Sequence, residues 1–371
     1  MIDAEHACPA CLRRAHLIGH LAPRIADLLR RRSRPVGLLA LGEEELIAAV
    51  AGTNAPAARS FVERFREDHA RQRLREAEIA AVCRHRGAYP RSLLDLSDPP
   101  AVLYARGQRT RLRTLADEPV ATVVGARRGS PYALDVARGL GRGLAAASVT
   151  VVSGLALGVD AAAHRGALDA GDRAVAVLAC GVDVPYPRAN RPLYRQIAQR
   201  GLVVSELPPG VPPLRWTFPA RNRIMAALAG ISVVVEAQEG SGSLITSTYA
   251  SDIGRQVGAV PGRVTSSMAT GSNRLLREGA SVIRGVDDVL DELFGVGGWT
   301  PNEDGPAIER PDGLEPELHS VLDAIEAGHG TDAIADATGM PAQAVRASLG
   351  RLELMGLVAR SGLASYARRF D

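Results

Sequence analysis

The sequence predicts an α/β protein: a doubly wound parallel sheet, with a small helical module before it and a winged-helix tail after it. Three observations carry that expectation. Between residues 119 and 285, short β-branched runs alternate with helix-length amphipathic segments. These strand runs are apolar throughout rather than at alternate positions, so both faces need covering, as in a parallel sheet joined by helical crossovers. Finally, "GVGGWTPNEDGPAIERPDG", residues 295–313, is rich in Gly, Pro and acid and lacks hydrophobic periodicity, which marks a linker placed at 298–312.

Composition sets the limits. A chain of 371 residues has room for two or three domains, and its 46% hydrophobic content is ample for a core, whereas 4% aromatics means that core is mostly Ala, Val and Leu. There is no lysine, so all 44 basic residues are arginine, and a GC-rich genome lowers the weight of any single one. The N-terminus has early acidic residues and no apolar signal region, and nowhere do eighteen apolar residues run together, so a soluble cytoplasmic protein is expected. Four cysteines in a chain this long do not suggest a disulfide framework. The basic surplus is local: residues 1–95 hold 16 Arg against 12 acids and 96–297 hold 22 against 17, whereas 313–371 hold 5 against 8.

Residues 1–95 offer only helix-like stretches, such as "EEELIAAV" and "ARSFVERFREDHARQRLREAEIAAVCRHRG", and form the helical module. Near its start Cys8 and Cys11 form "CPAC", with His6, His16 and His20 close by. A single C-x-x-C lacks the second ligand pair of a structural zinc site, and the gap to His16 is unlike a zinc finger. Ordinary cysteines are therefore expected, with no metal and no cofactor.

Residues 96–297 form the sheet domain. Strand runs at 119–124, 149–153, 174–179, 202–206 and 231–237 are followed by "VGAVPG" and "SVIRG". Ligands of such sheets sit beyond the carboxyl ends of the strands, and unusual residues gather there. "VVGARRGSP" leaves a strand through Gly125, which can bring backbone N–H groups close to an anion, and presents Arg127 and Arg128. "SGLALGVD" repeats the arrangement with Ser153 and Gly154, and "EGSGSLITS" does so with Ser241, Gly242 and Ser243. Three Gly/Ser turns accompanied by arginines describe a surface for several phosphates. No G-x-G-x-x-G with a later acidic residue is present; "RGLGRGLA" (138–145) sits inside a helix pattern.

In this order "VVGAR", "VSGLALGVDAAAHRGAL", "SELPPG", "FPARNRIMAAL", "EAQEGSGSLITSTYA", "VGAVPG" and "GSNRLLREGA" resemble the DNA-processing protein A (DprA/Smf) family over residues 115–293. The resemblance implies an extended Rossmann-like domain, an N-terminal SAM- or helix-hairpin-helix-like module and a C-terminal winged helix. It also implies single-stranded DNA binding without chemistry, a homodimer through the Rossmann-like domain, and loading of the RecA recombinase during natural transformation. Family positions that contact the strand correspond to Arg127, Ser153, Gly154, Arg215, Phe218, Arg221, Asn222, Arg223 and Ser241 to Ser243. Relatives often carry Ser or Thr where this chain has Ala126, which removes one hydroxyl.

The chemistry of those residues supports the same reading. A single strand exposes phosphates and unpaired base faces, so a sequence-tolerant binder needs guanidinium groups and an aromatic ring along a groove. Arg215, Phe218, Arg221 and Arg223 supply both within nine residues. In the competing structural reading, Phe218 staples the helix entrance to the core and Arg223 pairs with a buried acid such as Glu206 or Glu236, leaving Arg127 and Arg215 the stronger candidates. Asn222 is expected to tie down a loop.

An enzyme is the alternative. Nucleotide-binding or nucleotide-hydrolysing members of the same superfamily, the cytokinin-activating phosphoribohydrolases, carry P-G-G-x-G-T-x-x-E with a functional Glu. Aligning "QEGSGSLIT" to that pattern puts Thr246 at the carboxylate position, against hydrolysis. Asp160 and His164, four apart, read as a helix cap and its neighbour rather than as an acid/base pair.

The tail reads as a helix, then a helix–turn–helix with Gly339 in the turn, then a wing around Gly362. Its third helix, about 341–355, carries just Arg346 and Arg351 against Glu353 in an acidic module. Acidic surfaces repel phosphate, so a protein-contact role is favoured over duplex reading.

Overall fold

The structure is a computed structural model that describes residues 7–29, 37–115, 117–299, 314–326, 329, 331–355, 357–360 and 366–368. It divides into two compact units, residues 1–305 and 306–371.

The first unit opens with α1 (Pro9–Leu28), α2 (Glu43–Val50), α3 (Ala55–Glu63) and α4 (Glu67–Glu76), followed by strands β1 (Ala80–Val82) and β2 (Leu103–Gly107) and helix α5 (Arg109–Thr114). The alternating series then runs β3 (Val120–Val124), α6 (Pro131–Ala146), β4 (Thr150–Ser153), α7 (Val159–Asp169), β5 (Ala174–Val177), α8 (Arg191–Arg200), β6 (Leu202–Ser205), α9 (Thr217–Leu228), β7 (Ile231–Val234), α10 (Gly242–Asp252), β8 (Gln256–Ala259), α11 (Thr270–Arg277), β9 (Ser281–Val282) and α12 (Val286–Phe294). The seven strands expected from apolar runs are all present.

They form one nine-stranded sheet in the order β1-β2-β6-β5-β4-β3-β7-β8-β9. The seven from β3 to β9 are parallel, whereas β2 pairs antiparallel with β6, and β1 antiparallel with β2. The N-terminal segment is thus not purely helical, since β1 extends the sheet. Strand order reverses between β3 and β7: the chain steps outward from β3 through β4, β5 and β6, then returns to its other side. Such a switch point opens a crevice at the carboxyl ends of the strands.

Burial follows the apolar runs. Every residue of β3, β4, β5, β6 and β7 is buried, with Val and Ala on both faces. Two glycines of "RGLGRGLA" serve packing, since a Cβ on Gly141 would strike the backbone of Ala163 and one on Gly143 the side chain of Val286; with Gly166 of α7, whose Cβ would strike the backbone of Arg138, Gly141 lets α6 and α7 cross with backbones almost touching. Trp216 is buried among Leu17, Leu21 and Ile25 of α1, and its indole N–H donates to the Ala22 carbonyl at 3.0 Å, which binds the helical module to the entrance of α9. No helix among the described residues is long and apolar enough to cross a membrane.

The second unit contains α13 (Pro316–Glu326), α14 (Thr331–Thr338), α15 (Ala342–Leu354) and the antiparallel pair β10 (Val358–Arg360) and β11 (Tyr366–Arg368). Gly339 takes φ +67° between α14 and α15, as the turn requires. The expected linker, apart from Gly298 and Trp299, and the wing tip at Gly362 lie outside the described residues.

Candidate functional site

The switch point places the turns after β4, β3 and β7 side by side, because those three strands are adjacent. The helix α9, running back before β7, brings its N-terminus to the same edge. Together they border an open groove whose lining includes Gly125, Arg127, Arg128, Phe218, Asn222 and Ser241 to Ser243. A smaller pocket continues past Arg127, Gly154, Tyr186 and Phe218.

The exposed Arg127 holds its guanidinium carbon 5.4 Å from the centre of the Phe218 ring, and Tyr186 meets that ring edge-on with centroids 5.8 Å apart. Phe218 is half-buried rather than stapled into the core. A cation and two aromatic faces therefore stand together where the two cavities meet. Tyr186 was absent from the residues expected from sequence; its signal is a tyrosine between two prolines, "PYP", at the end of the β5 segment.

The N-terminus of α10 forms another wall. Ser241 caps the helix: its hydroxyl accepts from the Ser243 N–H at 3.4 Å and lies 2.8 Å from the Ser243 hydroxyl, and Ser241, Gly242 and Ser243 all line the groove. Helix N-termini favour anions, and Gly242 leaves the approach open. Asn222 donates its amide to the Gly242 carbonyl at 3.0 Å and ties this turn to α9, the loop-fixing role expected of it. Glu239 places one carboxylate on the rim.

Other expected residues are held differently. Ser153 is fully buried, its hydroxyl donating to the Val123 carbonyl at 2.6 Å, so it joins β4 to β3 and offers nothing to a ligand. Gly125 is needed for packing, because a Cβ there would press on Val159 and the Glu236 carbonyl. Arg223 is buried and faces away, with Glu206 at 2.6 Å and Asp98 at 3.3 Å; Glu236 is not its partner and instead accepts from the Ser130 backbone and hydroxyl at the start of α6. Arg215 is exposed beside Trp216 but does not line the groove.

Arg221 belongs to the floor. It donates to the carbonyls of Gly154 and, at 2.6 Å, Val177, and its Nε donates to Asn222 at 3.1 Å. Burial lowers its pKa, a pull that the neighbouring Asp160 opposes. Asp160 accepts from the Gly154 and Ala156 N–H groups at 3.1 and 3.2 Å, so it fixes the turn before α7 instead of capping the helix. Burial also pushes the Asp160 carboxyl up, against the charge of Arg221. His164 is fully buried, and burial together with that charge pushes its pKa down to about 3. It stays neutral at physiological pH and is no partner for acid/base work.

Gly154 exists for Arg221, since a Cβ there would overlap the guanidinium. Gly154→Ala is expected to lose roughly 1–3 kcal/mol, because the buried arginine cannot move without abandoning its carbonyl partners. Urea unfolding checks this; a loss under about 0.5 kcal/mol, the usual range for a surface change, would refute the role assigned to that glycine.

The fold agrees with comparisons to known proteins. Residues 80–294 match the family described as DNA recombination-mediator protein A, and residues 305–362 match the DprA winged helix domain. A putative DNA processing protein DprA of Mycobacterium tuberculosis is 42% identical over 261 residues, covering 70% of this chain and 66% of that protein. This chain therefore spans just under two thirds of that relative. The X-ray structure of DNA processing protein A from Streptococcus pneumoniae is 30% identical, with TM-score 0.61, and the match covers 76% of this chain and 96% of that one. A Helicobacter pylori DNA processing protein A, described for its single-stranded DNA binding mode, is 31% identical with TM-score 0.51, covering 55% of this chain and 92% of that one.

Proposed function

From the premise that this chain belongs to the DNA recombination-mediator protein A (DprA/Smf) family, we propose that it binds single-stranded DNA in the groove at the switch point and acts in recombination without catalysing a reaction. The observation that carries this reading is the pairing of Arg127 with Phe218 and Tyr186 opposite the N-terminus of α10. Cations for phosphates and rings for unpaired bases are what a sequence-tolerant strand binder needs.

The non-enzymatic part rests on the carboxylates. Thr246, at the position where a phosphoribohydrolase has its acid, is buried in the groove floor, and Asp160 is occupied by two backbone N–H groups and Arg221. Glu239 is on the solvated rim. This favours the binder over a nucleotide-hydrolysing relative. Protection of incoming DNA, loading of RecA during natural transformation, a homodimer and a cytoplasmic location are proposed on family membership. The winged-helix unit is assigned a protein contact: Arg351, one of two arginines on α15, makes a two-pronged pair with Glu315 at 2.7 and 2.8 Å, so part of the positive charge of that helix is already engaged.

Fluorescence anisotropy with single-stranded and duplex oligonucleotides across a salt series tests the reading. Single strands are expected to bind more tightly, with log affinity falling against log salt at a slope of about −2 if three phosphates are held. Duplex affinity equal to or above single-strand affinity would sink it.

A further inference from the structure

We propose that Cys8, Cys11, Cys83 and His85 form a structural zinc site, contrary to the expectation of ordinary cysteines and no metal. The thiol sulfurs and the His85 Nδ1 all lie within 4.8 Å of one another. The distances from His85 Nδ1 to the sulfurs of Cys8, Cys11 and Cys83 are 3.4, 3.4 and 3.9 Å. A tetrahedral zinc with ordinary Zn–S and Zn–N bond lengths requires about 3.6 Å between sulfur and nitrogen. The four atoms therefore already bracket the spacing of one ion.

The local structure explains how they meet. Cys8 is the N-cap of α1 and Cys11 lies one turn on, which brings both sulfurs to one side of the helix start. Cys83 follows β1 directly, and a turn closed by the Arg86 N–H on the Cys83 carbonyl at 2.8 Å presents His85. The chain before α1 is fastened to this strand by the Ala7 N–H on the Ala81 carbonyl at 2.6 Å. The Cys8 N–H points at the Cys83 sulfur at 3.4 Å, as backbone donors do toward a thiolate that carries negative charge. His16 and His20 lie outside this cluster and stack on Phe61.

Three thiolates and one imidazole are a soft set that selects zinc over magnesium or calcium. Four protein ligands leave no open position, so the ion would be structural. Binding releases the thiol protons and fastens α1 to the edge strand across 75 residues of chain, where long loop closure makes a clip most effective. None of the four residues lines the groove, so the site stands independently of the proposed DNA binding.

Metal analysis of the full chain, purified under reducing conditions and dialysed with zinc, is the test. The expected content is about one zinc per chain, and replacement by cobalt(II) is expected to give the visible bands and thiolate charge-transfer absorption of a tetrahedral sulfur-rich site. Cys83→Ser and His85→Ala are expected to lower zinc content at least about tenfold, and chelation to lower the wild-type Tm by more than about 5 °C. The cobalt spectrum of the wild-type protein keeps the test valid should the Cys83 variant fail to fold. The proposal is overturned by wild-type protein holding under about 0.1 zinc per chain, by cysteines found as a disulfide, or by both variants retaining full zinc.

Discussion

Arg127→Glu is expected to weaken single-strand binding at least about tenfold at low salt, while leaving stability within about 0.5 kcal/mol. The side chain is exposed, and its guanidinium lies over the half-buried Phe218 ring at the junction of two cavities. A cation held there loses little rotamer freedom on meeting a phosphate. Reversing its charge removes one attraction and adds one repulsion, each on the order of 1 kcal/mol at a hydrated surface. Arg127→Ala separates the two effects, because it loses the attraction alone and should reduce the salt slope by about 0.7. Anisotropy titrations at three salt concentrations measure both quantities; unchanged affinity and slope in both variants would remove Arg127 from the interface.

Arg223→Met is expected to destabilise the protein by about 3–5 kcal/mol, the cost of leaving buried carboxylates without their counter-charge. The Arg223 side chain is 1% exposed and pairs with both Glu206 and Asp98. Burial pushes both carboxyls above their usual range and Arg223 pulls them back. Without the guanidinium they rise further, which gives the effect a pH dependence of definite sign. A carboxyl whose folded pKa is raised contributes stability that is complete below its unfolded pKa, about 4, and is lost as pH rises through the folded value. The deficit of the variant should therefore be smallest near pH 5 and grow toward pH 8. Urea unfolding at both values checks it, and adding Glu206→Gln should recover part of the loss at pH 8. A deficit that is equal at both pH values would show that packing, not charge, is responsible.

These two arginines show what a motif conceals. Arg221 and Arg223 stand two apart in "ARNR", and grouping them as one binding segment ignores that two helical steps turn a side chain by about 200°. Arg221 reaches the groove floor, while Arg223 points to the antiparallel edge, where Asp98 and Glu206 wait. Ser153 misled in another way, since its place beside Gly154 resembles an anion turn but its hydroxyl is consumed inside the sheet. The strands were easier to read. Alternation with helix-length segments named β3 to β9, whereas β1 closes a stretch that reads as helical and β2, within "AVLYA", stands ahead of that alternating series. The Cys/His cluster is half visible in the sequence: "CPAC" stands near the start, but "CRH" lies more than 70 residues away, and the short β1 that precedes it sits in a stretch that reads as helical.

The amino-acid order alone determined the parallel α/β domain, the three Gly/Ser turns at strand ends and the family resemblance, because these depend on local periodicity and on residues adjacent in the chain. Only tertiary structure decided which arginine faces solvent, which serine is spent on a carbonyl, and which distant cysteine meets which histidine. Those outcomes depend on strand order and helix rotation, which bring together residues that the sequence keeps apart.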